Sequence, residues 1–408
     1  MSKNVIKKIF INSILFLVSI FITFLLLNFI LVKISSQNIF PRPLAASLPN
    51  TLLTFYPDTY KTKNLKNYTA VLGNSVAQGN GDAYLEGKRD YSITHHLHKS
   101  EKKNYLIFGR AGHHSIASVS NLIKVNKLSN KSFAIKDLNK PNSIIFYFYE
   151  GIDLIWNYDS YINRSKENES IEEYTSRIIK DGSNPTFKEN FYNFFPVLPF
   201  LGVFLGDFKT LIVEIYHNKN LLDSLSSISD RIKKILGFNI VLADRDQNLL
   251  TWTNSLKDHK GVKDIRPIQG ASETLSKEEI IIGLQIFYEA LREAKIWSKT
   301  EDVSIIFIPA PITVYDWNEP IVFERQPLNP KTINEIKTIS NYENKLKNIF
   351  IRQEIKKFSK KNNIVFFDPT DVLIEQGKSK VLHGPLDWGH LNDEGYKVVF
   401  DFIKKKNN

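Results

Sequence analysis

Five short apolar runs, rich in β-branched and aromatic residues, recur along this chain of 408 residues and constrain its fold more than any other feature. Each run is bounded by turn-forming residues, and a continuous apolar run of this length is typical of a strand covered on both faces. Helical patterns fill the stretches between the runs. This alternation predicts an α/β fold with a central parallel sheet and helices on both sides. The predicted strands are Thr69–Leu72, Tyr105–Phe108, Ser143–Tyr149, Val303–Ile308 and Ile364–Phe367.

The helical patterns place apolar residues on one face, as expected of helices that pack on a sheet. Ile280, Leu284 and Phe287 share one face of the clearest pattern, which indicates that this face packs on the core. The predicted helices are Ser115–Val125, Ser276–Ser298 and Asn334–Lys360.

The alternation breaks at residues 157–270, which predicts an insertion within a domain of residues 66–408. Residues 194–216 are rich in aromatic and aliphatic side chains, but Pro196 and Pro199 interrupt them, so they do not form a membrane-spanning helix. This stretch lies on a membrane surface, lines a substrate groove or packs as the core of the insertion.

The composition excludes several classes of site and partner. The chain has no cysteine, so disulfides, thiolate nucleophiles and cysteine metal sites are excluded. The formal net charge is +11, but lysines are scattered among acids without an arginine-rich stripe, so we expect no nucleic-acid partner. His95, His96 and His98 have no accompanying carboxylate pattern, so we expect a solvated face and no metal site.

A long uncharged segment precedes the predicted sheet. Ile9–Val32 holds 24 residues without a charge, which as a helix would span a hydrocarbon core of roughly 30 Å. Lys3, Lys7 and Lys8 precede the segment, and only Lys33 follows it closely. The positive-inside rule therefore predicts a single-pass anchor with a cytoplasmic N-terminus.

This orientation divides the chain into four parts. Residues 1–8 form a cytoplasmic tail, residues 9–32 the transmembrane helix, and residues 33–65, with four prolines, an extended stalk. Residues 66–408 form the predicted domain, and residues 34–408 as a whole then lie on the extracytoplasmic (periplasmic) side of the cell inner membrane. The alternative is a cleaved signal peptide, whose apolar region is shorter, at about 7–15 residues.

A serine follows the first predicted strand in a small, flexible turn, and a carboxylate and a histidine lie close together near the C-terminus. Asp387 and His390 stand at i and i+3, so the carboxylate can accept a hydrogen bond from one ring nitrogen and leave the other as a base. Ser75 is the candidate nucleophile, because the carboxyl ends of parallel strands open onto one edge of a sheet.

These segments resemble blocks of the SGNH (GDSL-type) hydrolase family in its membrane-anchored bacterial type. The block G-D-S-x-x-x-G is matched by Gly73–Gly79, with Asn74 in place of aspartate, and D-x-x-H is matched by Asp387 to His390. The resemblance implies a flavodoxin-like three-layer sandwich with a central parallel sheet.

Two further blocks are similar to the family's glycine and asparagine blocks. Residues 108–115 place the family's glycine at Gly112, with Gly109 the less favoured choice. The family's G-x-N-D is similar to Gly151–Asp153, where Ile152 stands at the asparagine position.

The resemblance also implies roles for individual residues. Ser75 is the nucleophile, His390 the base and Asp387 its orienting carboxylate, and the backbone amides of Ser75 and Gly112 bind the oxyanion. The candidate pocket residues are Asn74, His113, Gly151 and Asp153.

Ile152 cannot donate the side-chain hydrogen bond that the family's asparagine gives to the oxyanion, and loss of one such donor costs roughly 10²–10³ in rate. Three outcomes stay open at this point: the amides of Ser75 and Gly112 suffice, Asn157 substitutes, or activity is weak or lost.

By resemblance and predicted location, we expect a serine esterase that removes or transfers an acyl (acetyl) group on a cell-envelope or exported glycan, without a metal or organic cofactor. The alternative is a catalytically weak or inactive relative that binds glycan or acyl groups in envelope assembly. Neither the choice between hydrolase and transferase, nor the acyl group, nor the oligomeric state is indicated by the residues.

Overall fold

The computed structural model describes the central sheet and most of the helices predicted to cover it. The described residues are 11–16, 18–27, 67–85, 91–129, 138–194, 275–315, 321–325, 335–384, 387 and 389–407. The predicted stalk at 33–65, and the predicted aromatic stretch beyond residue 194, lie outside these ranges.

Five parallel strands form the central sheet, which confirms the predicted α/β fold. The strands of the chain are β1 (Thr69–Gly73), β2 (Tyr105–Ile107), β3 (Ser143–Tyr149), β4 (Val303–Ile308), β5 (Ile321–Arg325), β6 (Glu335–Ile339) and β7 (Val365–Phe367). The sheet order is β2-β1-β3-β4-β7, and all four pairings are parallel. β5 and β6 form a separate antiparallel pair, which the sequence did not predict.

Most of the helices that follow β1 pack on the two faces of the sheet. The helices of this part of the chain are α1 (Ser75–Gln78), α2 (Asp82–Leu85), α3 (Ile93–Glu101), α4 (Ser115–Ser129), α5 (Asp153–Arg164), α6 (Ile171–Gly182), α7 (Phe187–Phe194), α8 (Lys277–Ser298), α9 (Pro311–Val314), α10 (Asn341–Lys361), α11 (Thr370–Gly377) and α12 (Asp393–Asn407).

Alternate residues of the central strand enter two separate hydrophobic clusters, as the pleat of a strand requires. Phe146 and Phe148 pack with α4, α5, α6, α8 and α10 on one face. Tyr147 and Tyr149 pack with α1, α2, α3, α9, α11 and α12 on the other face. β3 is therefore buried from both sides.

Capping residues set the helix starts more sharply than hydrophobic periodicity does. Ser276 caps α8 in a capping box with Glu279, so this helix begins one residue later than predicted. Ser340 caps α10, and the preceding residues 335–339 pair as β6. The predicted start of that helix at residue 334 is therefore corrected to residue 341.

The predicted insertion begins later than residue 157. Asn157 is fully buried in the middle of α5, and α5, α6 and α8 pack together on the sheet. The break in the apolar pattern arises because α5 is amphipathic, so its exposed face is polar. Residues 195–274 lie outside the described ranges.

Residues 11–16 and 18–27 are helical, and several of their large apolar side chains are exposed, among them Phe16, Phe21 and Leu26. No helix in the described part of the chain is both long enough and apolar enough to cross a membrane. The span Ile9–Val32 stays a prediction.

Candidate active site

The serine turn is built by close packing at the end of β1. Gly73 has a φ of +130°, and a side chain there would bring its Cβ within 2.5 Å of the Tyr147 carbonyl oxygen, so the turn requires glycine. The Gly73 N–H donates to Ser118 Oγ at 2.8 Å. Asn74 caps α1 by accepting from the Val76 N–H, and Ser75 is the first residue of the helix. The turn therefore presents Ser75 at the carboxyl edge of the sheet.

His390 joins Ser75 to Asp387 in one hydrogen-bonded chain. His390 Nε2 lies 2.5 Å from Ser75 Oγ, and His390 Nδ1 lies 2.8 Å from Asp387 Oδ2. A carboxylate at Nδ1 requires the proton there, which leaves Nε2 to accept from the serine hydroxyl. The three residues that the sequence singled out from opposite ends of the chain are thus brought together in the geometry of a nucleophile, a base and an orienting group.

Asp387 is held in its charged form. Burial alone would raise its pKa, but the hydrogen bond and charge of His390 and the N–H of Gly389 outweigh burial and leave the pKa of Asp387 lowered. An ionised Asp387 stabilises positive charge on the imidazole when the ring takes a proton.

Asn74 and Asp153 lie beneath the serine turn instead of lining an open pocket. Both side chains are 0% exposed, and Asn74 Nδ2 donates to Asp153 Oδ1 at 3.1 Å. Asp153 Oδ2 accepts from the Tyr149 N–H at 2.7 Å. Burial raises the pKa of Asp153 to about 7, although these two donors favour its charged form. Their burial does not suit the predicted direct contact with substrate.

Tyr149 supports the histidine, although no sequence motif marks it as a site residue. Its hydroxyl donates to the Gly389 carbonyl at 2.6 Å, and its ring lies nearly parallel to that of His390, with centroids 6.2 Å apart. The signal was local, since Tyr149 ends the third predicted strand, two residues before Gly151. At Gly151 a Cβ would come within 2.7 Å of the Tyr149 ring, so Gly151 makes room for that ring.

Asp82 supports the other end of the histidine loop. Its Oδ1 accepts the Asp387 N–H at 2.8 Å across more than 300 residues of sequence. No local pattern marks this residue, because its partner is distant in the chain.

The loop after β2 contacts the serine helix. A Cβ on Gly109 would come 2.7 Å from Ala77 Cβ and from the Gly73 carbonyl, and the Ala111 N–H donates to Gln78 Oε1 at 2.8 Å. Gly112 is exposed, with a φ of +81° and open space around its Cα. Gly109 is thus the close-packed glycine of this loop, and Gly112 the accessible one.

The two histidines of this loop are poorly solvated. Burial, with the charges of Arg110 and His114 beside it, lowers the pKa of His113 to about 3. Burial likewise lowers the pKa of His114 to about 4. Both rings are therefore neutral near pH 7, and His113 is the more accessible of the two.

The structure does not offer a polar side chain in place of the asparagine of the resembled family at either Ile152 or Asn157. Ile152 is buried in the cluster that contains α1. Asn157 is committed elsewhere, because its Oδ1 accepts the Ser115 N–H while its Nδ2 donates to Ser115 Oγ and to the Gly283 carbonyl. The suggestion that Asn157 replaces the family's oxyanion donor is therefore wrong.

Metal-ligand geometry is not found in the described part of the chain, where no group of three or more histidine or acidic side chains converges. His96 stacks on Phe400, and His98 Nδ1 lies 2.6 Å from the Lys103 carbonyl. His95 is buried on α3.

No protein-family model matches the chain, and no curated protein matches its sequence.

Proposed function

We propose that this chain is a membrane-anchored, extracytoplasmic serine esterase of the SGNH type, which removes or transfers an acyl group on a cell-envelope or exported glycan. The observation that carries the proposal is the continuous hydrogen-bonded chain from Ser75 through His390 to Asp387. A hydroxyl, a base and a carboxylate in this order suit acyl transfer through a serine ester.

In this mechanism Ser75 Oγ attacks the ester carbonyl carbon while its proton moves to His390 Nε2. Asp387 stabilises the imidazolium that forms. Collapse of the tetrahedral intermediate breaks the bond to the alcohol, which takes the proton from His390, and leaves an acyl group on Ser75. Water or an acceptor hydroxyl then gives its proton to His390 and attacks the acyl-serine. The bond to Ser75 Oγ breaks, Ser75 takes the proton back from His390, and an acid or a new ester is released.

The oxyanion in this mechanism is bound by backbone amides. The first N–H groups of a helix have no acceptor within the helix, and the Asn74 cap takes that of Val76, not that of Ser75. The exposed loop glycine, Gly112, supplies the second amide. Ile152 removes the side-chain donor, so we expect slower turnover than in a site with three donors.

Two further observations support the SGNH-type fold and the anchor. Counted within the central sheet, the strand order is 2-1-3-4-5, which is flavodoxin-like, and Ser75 lies at the carboxyl end of β1, where the order reverses. The exposed apolar side chains of helical residues 11–27, apart from residue 17, suit a hydrocarbon environment.

A second candidate function, a non-catalytic binder of glycan or acyl groups, is favoured by one observation. Ile152 is buried and apolar where the resembled family carries its oxyanion donor. A binder would keep the pocket without turnover.

Turnover by the full chain in detergent tests the proposal. We expect release of p-nitrophenol from p-nitrophenyl acetate, and of acetate from acetylated oligosaccharides, to fall by at least about 10³-fold in Ser75→Ala and in His390→Ala. Ser129→Ala is the matched control, since Ser129 is the last residue of α4 and its Oγ donates to the Asn126 carbonyl, outside the chain of Ser75, His390 and Asp387. Equal turnover in Ser75→Ala and wild type would contradict the proposal, and a folded but inactive wild type that retains acylated glycan would favour the binder.

A further inference from the structure

The buried pair Asn74 and Asp153 links the ends of β1 and β3 directly below the serine turn. These two strands are neighbours in the sheet, and both side chains are fully buried. Asn74 immediately precedes Ser75, so any shift of the Asn74 side chain moves the backbone that carries the nucleophile.

Every hydrogen bond of this pair depends on which side chain is the amide and which is the acid. Asn74 Oδ1 accepts the Val76 N–H at 2.9 Å, so Nδ2 must face Asp153. Rotating the amide by half a turn would set its NH₂ against the Val76 N–H. Asp153 accepts on both oxygens, from Asn74 and from the Tyr149 N–H, and therefore needs a donor at position 74.

An aspartate at position 74, where the resembled family carries one, would face Asp153 differently. Its carboxylate would lie about 3 Å from the Asp153 carboxylate in a site without solvent, so one of the two would have to take up a proton before a hydrogen bond could join them, whereas asparagine donates without one. Asparagine at position 74 is therefore matched to the acid at position 153.

We propose that Asn74 and Asp153 are positioning residues, whose complementary hydrogen bond holds Ser75 within reach of His390. This inference rests on the proposed function of Ser75 as a nucleophile. The asparagine that replaces aspartate in the first block is then complementary to Asp153 and does not indicate a loss of activity. Asp153 also joins the serine turn to Tyr149, whose hydroxyl holds the Gly389 carbonyl beside His390.

Exchanging the two residues provides a direct test, because it keeps volume, composition and net charge. In Asn74→Asp/Asp153→Asn, the aspartate at 74 can accept from the Val76 N–H and from the new amide at 153, while that amide's oxygen accepts the Tyr149 N–H. All three hydrogen bonds are retained, and only the bond between positions 74 and 153 reverses its direction. Each single substitution instead opposes two acids or two amides.

The four proteins are compared as full chains in detergent at pH 8, with p-nitrophenyl acetate as substrate. We expect each single variant to lower kcat by about 10–100-fold with little change in KM, because a shifted nucleophile loses its alignment while the pocket stays intact. We expect the exchanged variant to recover to within a few-fold of wild type. Two results would overturn the inference. One is a kcat in the single variants equal to that of wild type. The other is a loss of kcat in the exchanged variant as large as the losses of the two single variants multiplied together.

Folding is controlled separately. Asn74→Ser keeps a side chain that can cap α1 but loses the amide that reaches Asp153, so it should lower kcat as Asn74→Asp does while the far-ultraviolet circular dichroism stays unchanged. Ring-proton NMR shifts of His390 report its contact with Ser75 without turnover.

These readouts separate the two proposals. A wild type that neither turns over ester nor reacts with a fluorophosphonate contradicts the proposed function. In that case the NMR shifts of the His390 ring still test the role of Asn74 and Asp153. The shifts should change in each single variant and return to the wild-type values in the exchanged variant. Shifts that are identical in all four proteins would overturn the pair.

Discussion

Carboxylates at the end of β3 and the carboxylate in the histidine loop lie at the same edge of the sheet, but their surroundings differ. Glu150 and Asp153 are fully buried and accept hydrogen bonds from uncharged groups. Burial raises the pKa of each, although these donors, and the charge of Arg352 at Glu150, favour the ionised form. Asp387 meets an imidazole, and its pKa is lowered despite burial. In the proposed function, the first two carboxylates organise the structure, whereas the third orients His390 and stabilises its charged form.

Glu150 shows the structural role most clearly. Its Oε2 accepts from the Ala310 N–H and from Thr313 Oγ1, both at 2.9 Å, and its Oε1 accepts from Asn348 Nδ2 at 2.7 Å. One side chain thereby ties β3 to α9 and α10.

The largest expected effect is on activity, at Asp387. Asp387→Asn keeps the shape of the side chain but favours the wrong tautomer of His390, so we expect kcat for p-nitrophenyl acetate to fall by about 10³–10⁴-fold. Thermal unfolding should change little by comparison. A near-normal kcat in Asp387→Asn would contradict the view that the carboxylate of the histidine loop serves activity while those at the end of β3 serve structure.

Glu150→Ala should have the opposite profile. It leaves three buried donors without their acceptor, so we expect the free energy of unfolding in urea to drop by about 3 kcal/mol or more. The kcat of the folded fraction should stay near that of wild type. Glu375→Ala is the matched control, because Glu375 is exposed and pairs with Lys378 within one helical turn, and should cost little. A stable Glu150→Ala protein with low kcat would contradict the structural role.

The expected loss of kcat in Tyr149→Phe lies between those of Asp387→Asn and Glu150→Ala. This substitution removes the hydroxyl that holds the Gly389 carbonyl but keeps the ring beside His390, so we expect kcat to fall by about 10-fold, with KM unchanged. Tyr105→Phe is the control, since its hydroxyl bonds Glu101 at the far end of the sheet. Equal kcat in the two variants would exclude Tyr149 from positioning the histidine.

The last expected effect is in the pH dependence of stability, which is spread over several pH units and is therefore small at any one pH step. The pKa of Asp153 is about 7 in the folded protein and about 4 in an unfolded chain, so the folded state holds an extra proton between these values. This contribution is fully present below pH 4 and is lost as the pH rises to about 7. Asp387 has the opposite sign, because its lowered pKa contributes stability above pH 4 that is lost in acid.

Urea unfolding from about pH 3 to pH 8 measures this difference. The stability of wild type relative to Asp153→Asn should fall with pH by less than about 1.4 kcal/mol per unit and level off above pH 7. Wild type relative to Asp387→Asn should rise toward pH 4.5 and then stay level. If both stability differences changed with pH in the same direction, the pKa values of the two carboxylates would be shifted in the same direction, which would contradict the comparison.

The central sheet was predictable because its signal is local. Ser143–Tyr149 and Val303–Ile308 are strands with the predicted bounds, since each is a continuous apolar run that both faces of a sheet bury. The pair β5 and β6 lacked this signal, because it lies outside the central sheet.

The candidate site could be predicted only where a short sequence motif marks residues that meet in the folded chain. Ser75, Asp387 and His390 could be named because short blocks carry them, although 315 positions separate the serine from the histidine. The supporting contacts of Asp82 with the Asp387 N–H, and of Tyr149 with the Gly389 carbonyl, could not, because only the folded chain brings those partners together.

Covalent labelling of the full chain with a fluorophosphonate tests the central claim most directly. The account predicts one added phosphonyl group, found by peptide mapping on Ser75, formed quickly in wild type and absent in Ser75→Ala, with strongly slowed labelling in His390→Ala. A folded wild type that stays unlabelled, or that is labelled on another serine, would contradict an activated Ser75.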